Sequence, residues 1–314
     1  MGATTGIPYV DATWNPVSGC TKISPGCQHC YAERETLRWK RGPFDTVHIH
    51  ESRLGEPAKW PKGKKVLTPS MGDLYHPLVP PEYRDQVFAV MAAEERHTFF
   101  LLTKRPGLMV HDAALRQWPK NVWPGVSVEN QEWAWRIEVL AELRGIAPVL
   151  WVSLEPLLGP VNLGPWLQSN EGVPGHCFSI DGDRWHPLGG CAGASTNCSG
   201  RCCNQPVLSL VILGGESGPR ARPMHPAWPR SVRDQCRAAG VPFFFKQWGE
   251  WVPSYFAAFP GEPMRAERFE DGVRVFRTGR KRAGALLDGR EWTEMPQRCL
   301  MPQAPNEIVH ASAT

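Results

Sequence analysis

At 314 residues, 42% of them hydrophobic, the chain is long enough for one barrel-sized domain or two smaller ones. Its net charge of +4 permits contact with nucleic acid but is too mild to mark a dedicated binder. No stretch approaches the roughly 20 apolar residues of a membrane span, and the start, MGATTGIPYVDATWNP, has neither a signal-peptide pattern nor a myristoylation pattern, since Gly6 stands where Ser or Thr is needed.

Ten cysteines without an export signal imply a reducing, cytoplasmic setting, where clustered Cys means metal or redox chemistry more often than disulfides. The first element is a short strand expected near Thr5–Trp14. Directly after it comes Cys20-TKISPG-Cys27-QH-Cys30-Tyr31, a C-x6-C-x2-C loop rich in Gly and Pro. A structural zinc wants a fourth protein ligand to close its tetrahedron, and iron–sulfur clusters are usually held by four cysteines. Three thiols therefore form either an incomplete structural site, completed by His29, His48 or a distant Cys, or an open reactive one. The spacing alone leaves both readings open.

From residue 64 onward short apolar runs alternate with helical segments. The expected strands are Lys65–Met71, Thr98–Thr103, Asn121–Val128, Pro148–Leu154, Val207–Gly214 and Val241–Lys246. Between them, 81–97 places Tyr83, Val87, Val90 and Met91 on one helical face. The segment 130–145 groups Trp133, Ile137 and Leu140 behind Asn130 as cap and before Gly145 as stop. The segment 225–240 groups Trp228, Val232, Cys236 and Ala239, which makes Cys236 a core residue. Alternating strands and helices imply parallel βα units, and continuously apolar strands imply a sheet buried on both faces.

Each run ends in groups capable of chemistry: Ser70 and Asp73; Thr103, Lys104 and Arg105; Ser127, Glu129 and Asn130; Ser153 and Glu155; Glu216 and Ser217; Lys246 and Gln247. Parallel barrels build their sites at the carboxyl ends of their strands. Lys104, Arg105 and Lys246 suit a substrate carboxylate or phosphate, or else a structural ion-pair lattice with Glu155 or Glu216. The turn Gly214-Gly215-Glu216 suits close backbone approach to a cofactor, or a plain strand-to-loop turn.

Two regions break the rhythm. Residues 165–206 form a Gly/Cys-rich insertion with Cys177, Cys191, Cys198, Cys202 and Cys203, too polar to fold alone and so expected to hold a zinc ion or an auxiliary iron–sulfur cluster. Residues 252–314 form a loop-rich C-terminal extension with a hairpin over 267–279, turning at Asp271-Gly272, and a basic run, Arg277–Arg282. The barrel is expected over 1–251.

The cysteine loop resembles the radical S-adenosylmethionine (SAM) enzymes, whose usual pattern is C-x3-C-x2-C; the first gap here is six residues. TWNPVSGCTKISPGCQHCYAE, SMGDLYH, LLTKRP, NVWPGVSVEN, SLEPLLGPV, LGGESGPRARP and PFFFKQWGEW follow in this order. Together they closely resemble a phage- and prophage-associated family of radical SAM-like proteins, distantly similar to spore photoproduct lyase. The resemblance implies an α/β fold, a partial (βα) TIM-like barrel with a [4Fe–4S] cluster on Cys20, Cys27 and Cys30. It implies SAM held by His29, Tyr31, Ser70, Asp73, Ser127, Glu129, Ser153, Glu155, Gly214, Gly215 and Glu216. It further implies substrate contacts at Lys104, Arg105 and Lys246, a DNA or modified-nucleotide substrate, and an electron donor such as flavodoxin. The reaction expected is isomerisation of an amino-acyl-modified thymidine in phage DNA hypermodification. The alternatives are a lesion-repair lyase and a non-catalytic, zinc-stabilised nucleic-acid-binding protein.

Overall fold

The computed structural model describes residues 5–61, 63–168, 206–253 and 264–296, and the backbone of a hairpin that pairs Cys177–Asp181 antiparallel with Arg184–Leu188. Seven strands form one parallel sheet: β1 (Ala12–Thr13), β2 (Lys65–Thr68), β3 (Thr98–Thr103), β4 (Val122–Ser127), β5 (Trp151–Leu154), β6 (Leu210–Gly214) and β7 (Phe243–Gln247). Every strand pairs with its predecessor in the chain, so the sheet curls as a half-barrel instead of winding outward in two directions. All seven strands lie where the apolar runs placed them.

The strands are buried on both faces, and alternate residues serve different cores. Phe99, Leu101, Val122, Val152, Val211 and Phe243 face the helices α2 (Pro81–Ala93), α4 (Trp135–Leu140) and α5 (Ala227–Ala239). Leu67, Phe100, Trp123, Trp151, Ile212 and Phe244 face the other way and fill the half-barrel around Tyr9. The rings interlock: Phe100 lies 5.0 Å from Trp123 and 5.4 Å from Trp151, and Tyr9 lies 5.8 Å from Phe244. Gly125 makes room for this plug, because a Cβ there would lie 2.3 Å from the Trp151 ring. Aromatic packing closes the interior, so open space lies beyond the carboxyl ends of the strands.

Some elements depart from the sequence reading. The helix expected over 130–145 is a 3-10 turn (Gln131–Trp133), the short α4 and a second 3-10 turn (Ala141–Leu143). Asn130 precedes it, but its side chain makes no capping hydrogen bond and its Oδ1 is buried without a partner. The break accompanies the complete burial of Arg136, which the periodicity of Trp133, Ile137 and Leu140 did not mark. Two helices went unread: α1 (Tyr31–Arg38), which starts inside the cysteine loop, and α3 (Pro106–Ala114), which begins on a proline at a position whose N–H needs no partner.

The C-terminal hairpin is present as β9 (Ala266–Arg268) and β10 (Arg274–Arg277), with Gly272 at φ +87° in its turn. β8 (Trp251–Pro253) adds to β10, giving the order β8-β10-β9. Leu287 and Trp292 return to the main core, and Thr293 bridges to Phe244 of β7. Cys236 is fully buried, as expected, and burial pushes its thiol up to about 12. Among the described residues no helix is long and apolar enough to cross a membrane.

Candidate cofactor and substrate site

A cavity of about 1070 Å³ opens over the carboxyl ends of the strands. Cys20, Cys27, His29, Cys30, Tyr31, Ser70, Asp73, Lys104, Arg105, Ser127, Ser153, Glu155, Gly215, Glu216 and Lys246 line it. Residues scattered over more than two hundred positions thus converge on one space. Glu129 stands fully buried behind the wall, and Gly214 lies behind Glu155. Cys191, Cys198, Cys202 and Cys203 lie outside the described residues, as does the side chain of Cys177.

The loop that carries the three thiols is held from three sides. On the first, Arg105 donates from Nη1 to Asp73 (2.9 Å) and approaches the Cys20 sulfur at 3.3 Å with the same atom, while its Nη2 donates to the Thr21 carbonyl at 3.0 Å. Asp73 is itself fixed by the Thr103 hydroxyl at 2.7 Å and the Tyr75 amide at 3.0 Å. Burial and the Asp73 charge push the Cys20 thiol up to about 11, against the pull of Arg105.

On the second side, Glu129 has no exposed surface and carries three partners. Ser24 donates to it at 2.6 Å, Lys104 pairs with it at 3.6 Å and Arg136 at 3.0 Å. Arg136 also donates to the Ser127 carbonyl at 2.8 Å and packs 4.4 Å from the Trp133 ring. Its burial lowers its pKa, and Glu129 opposes that shift. Gly26 presses on the same carboxylate: a Cβ there would lie 2.4 Å from Glu129 Oε1.

On the third side, Glu216 accepts from Arg222 Nε at 2.8 Å and from the Arg222 amide at 2.7 Å, and contacts His29 Nδ1 at 3.2 Å. Arg222 reaches on to the Pro25 carbonyl at 2.9 Å and to Gln28 at 3.1 Å. Burial would raise the Glu216 pKa, but these hydrogen bonds outweigh it and hold the carboxyl below its ordinary value. Arg222 was missed in the sequence; its only signal was a second basic residue in the GPRARP block.

The cavity holds a further ion pair. Lys246 meets Glu155 at 2.9 Å and stands 5.7 Å over the Tyr9 ring, and Ser153 donates to Glu155 at 3.1 Å. All three expected substrate cations are therefore ion-paired across strand ends. Tyr31 stands inside the cavity, where its hydroxyl donates to the Ser70 carbonyl. Gly215 is required by the chain itself, since a Cβ would lie 2.0 Å from the Trp248 carbonyl.

The donor set suits a cluster. Cys20, Cys27 and Cys30 are free thiols, half-buried at the cavity wall. Among the described residues no three His, Cys, Asp or Glu side chains gather closely enough to hold a single metal ion, the three cysteines included. Groups that favour anionic sulfur are in place: the Arg105 guanidinium at Cys20, and the Ala32 and Glu33 amides at Cys30, which precedes α1. Burial nevertheless raises the Cys30 pKa.

A family model described as "Protein of unknown function (DUF5131)" matches residues 4–296. The chain belongs to that family. No curated protein matches it. Among solved structures it is similar to a tyrosine-to-phenylalanine mutant of spore photoproduct lyase, at 11% identity over 86% of this chain and 69% of that one, with a TM-score of 0.43. It is also similar to the lyase complexed with dinucleoside spore photoproduct (9% identity, 86% and 69% covered, TM-score 0.42). A double mutant with bound AdoMet and the same dinucleoside gives 9% identity, 83% and 66% covered, and a TM-score of 0.39. These are distant likenesses.

Proposed function

We propose that this member of the family is a radical SAM enzyme that modifies a nucleobase. The observation that carries the proposal is the placement of three free cysteines on one braced loop at the wall of a cavity lined by strand-end polar groups. Cys20, Cys27 and Cys30 would hold a [4Fe–4S] cluster, leaving an open position for SAM. With SAM bound, such a cluster would supply one-electron reduction of the sulfonium and so radical chemistry for hydrogen abstraction from the substrate.

The chain's own residues would do the rest. Asp73, Glu129 and Glu216 brace the loop so that the thiols keep their positions. Ser70, Tyr31 and Ser127 line the cavity, as does the polar group of Ser153, Glu155 and Lys246. The aromatic plug of Tyr9, Phe100 and Trp151 keeps water from entering through the barrel floor.

The cavity volume reaches the upper end of the range for a single small-molecule site, about 300–1,000 Å³. That supports SAM and a nucleoside-sized substrate bound together. Within this class we favour isomerisation of an amino-acyl-modified thymidine of phage DNA, because the Lys246–Glu155 pair can open to receive an amino-acid carboxylate and amine. A lesion-repair lyase would use the same radical on a thymine photoproduct.

The test is to reduce anaerobically reconstituted protein with SAM in the presence of each candidate substrate. 5′-Deoxyadenosine and products are then followed by mass spectrometry. A mass-neutral rearrangement of the amino-acyl thymidine supports the isomerase, and conversion of the cross-linked photoproduct to two unlinked thymidines, separated by chromatography before mass analysis, supports the lyase instead. Absence of 5′-deoxyadenosine from reduced, iron-loaded protein would overturn the radical reading itself.

A further inference from the structure

The cations lining the cavity do not all have the same status. Lys22 pairs with Glu33 at 2.8 Å, Arg34 with Glu35 at 3.9 Å, Lys104 with Glu129 at 3.6 Å, Arg105 with Asp73 at 2.9 Å and Lys246 with Glu155 at 2.9 Å. Arg280 also lines the cavity, is exposed, and its side chain has no ion-pair partner among the described residues. Lys281 beside it is likewise exposed and unpaired there. An unpaired guanidinium at a ligand cavity is a ready site for an anion, because no internal ion pair must break before it binds.

The segment that presents Arg280 is anchored. The Thr278 and Gly279 amides donate to the Glu250 carbonyl at 3.0 and 3.1 Å. Arg277 donates to the Gly218 and Pro219 carbonyls at 3.0 and 2.6 Å, and Ala283 is buried. The β6 turn, the end of β7 and the C-terminal hairpin thus fix the rim on which Arg280 stands. The acids at this part of the wall are engaged: Glu216 by Arg222, and Glu250 by the Gly218 amide at 3.0 Å. Glu250 Oε2 faces the same turn, 3.9 Å from where a Cβ of Gly279 would stand, so an anion at Arg280 must lie on the side away from it.

We propose that Arg280, aided by Lys281, is a phosphate site at the mouth of the cavity, which fixes a substrate nucleotide by its phosphate while the base enters toward the cysteine loop. This rests on the nucleobase reading above and deepens it. The site distinguishes substrates that carry phosphate from free nucleosides, and a terminal monoester and a backbone phosphodiester share the chemistry it reads. The basic run at 277–282 divides accordingly: Arg277 is structural, Arg280 lines the cavity, and Lys281 stands exposed beside it.

The experiment measures binding of thymidine, thymidine 5′-monophosphate and d(TTT) to the full chain by calorimetry, for wild type, Arg280→Ala and Arg280→Ala/Lys281→Ala. Phosphate-bearing ligands should weaken about tenfold in Arg280→Ala, as expected for loss of a hydrogen bond to a charged group, with thymidine unchanged. Loss for both the monophosphate and d(TTT) assigns a monoester-tolerant site, and loss for d(TTT) alone assigns a phosphodiester site; either supports the proposal. The slope of log K against log salt for d(TTT) should fall by roughly 0.7 for each phosphate contact removed. Equal binding of all three ligands by wild type and both variants would overturn the phosphate site and leave the nucleobase reading intact. If wild type binds none of them while retaining SAM, the nucleobase reading fails and the phosphate site with it.

Discussion

One nitrogen of Arg105, Nη1, lies 2.9 Å from Asp73 and 3.3 Å from the sulfur of Cys20. The guanidinium therefore couples the end of β2 to the first cysteine of the loop, and its other nitrogen holds the Thr21 carbonyl at 3.0 Å. A lysine can supply the charge but not the fork. Arg105→Lys should retain the fold, with a melting temperature within about 3 °C of wild type. It should bind iron more weakly, read as faster loss of the visible absorption band under a chelator. Wild-type retention would show that Arg105 plays no part in holding the loop.

Glu129 is the most exposed to mutation of the loop's anchors, in energetic terms, because it has no contact with solvent. Glu129→Ala leaves Arg136 buried, with its Nε and Nη2 already lacking hydrogen-bond partners. Breaking a buried pair in this way costs about 3–5 kcal/mol. Urea denaturation should show that loss, whereas Lys22→Ala, at an exposed pair, should cost less than about 1 kcal/mol.

Gly26→Ala separates the loop from the barrel. The added methyl must displace the Glu129 carboxylate, which it would meet at 2.4 Å, while the seven strands stay untouched. Circular dichroism should match wild type, with iron content after reconstitution falling to less than about half. Full iron loading would show that the loop is free to shift.

Much of this site could be read from the chain, and the parts that could not share a physical cause. Phe99–Leu101 and Leu210–Leu213 announce strands because a sheet covered on both faces needs continuous apolar runs. Residues at the ends of those runs, such as Asp73, Glu155 and Lys246, were visible because the chain alternates strands with helices. Arg136 and Arg222 were not, since each folds back on a carboxylate six or seven residues earlier, Glu216 or Glu129, across an irregular turn whose path no hydrophobic period describes. The pairing of Lys104, Arg105 and Lys246 was left open in the sequence, and the structure places each against a carboxylate.

Glu142 gives a pH signature unconnected with the site. Burial raises its carboxyl to about 7, and its Oε1 has no hydrogen-bond partner. The folded state therefore binds more protons than the unfolded state between the ordinary carboxylate range and pH 7. This group's contribution to stability falls as pH rises through that window. Because the side chain is only partly buried, the effect is discounted to about 1 kcal/mol. Glu142→Gln should be more stable than wild type at pH 8 and equal to it near pH 4; a pH-independent difference would contradict the assignment.

The central claim is that Cys20, Cys27 and Cys30 are the ligands of one iron–sulfur cluster. It is tested most directly by iron and sulfide content after anaerobic reconstitution, in wild type and in the Cys20→Ala/Cys27→Ala/Cys30→Ala variant. The account predicts that wild type carries about four irons and four sulfides more per chain than the triple variant. Equal iron and sulfide content in the two proteins would contradict it.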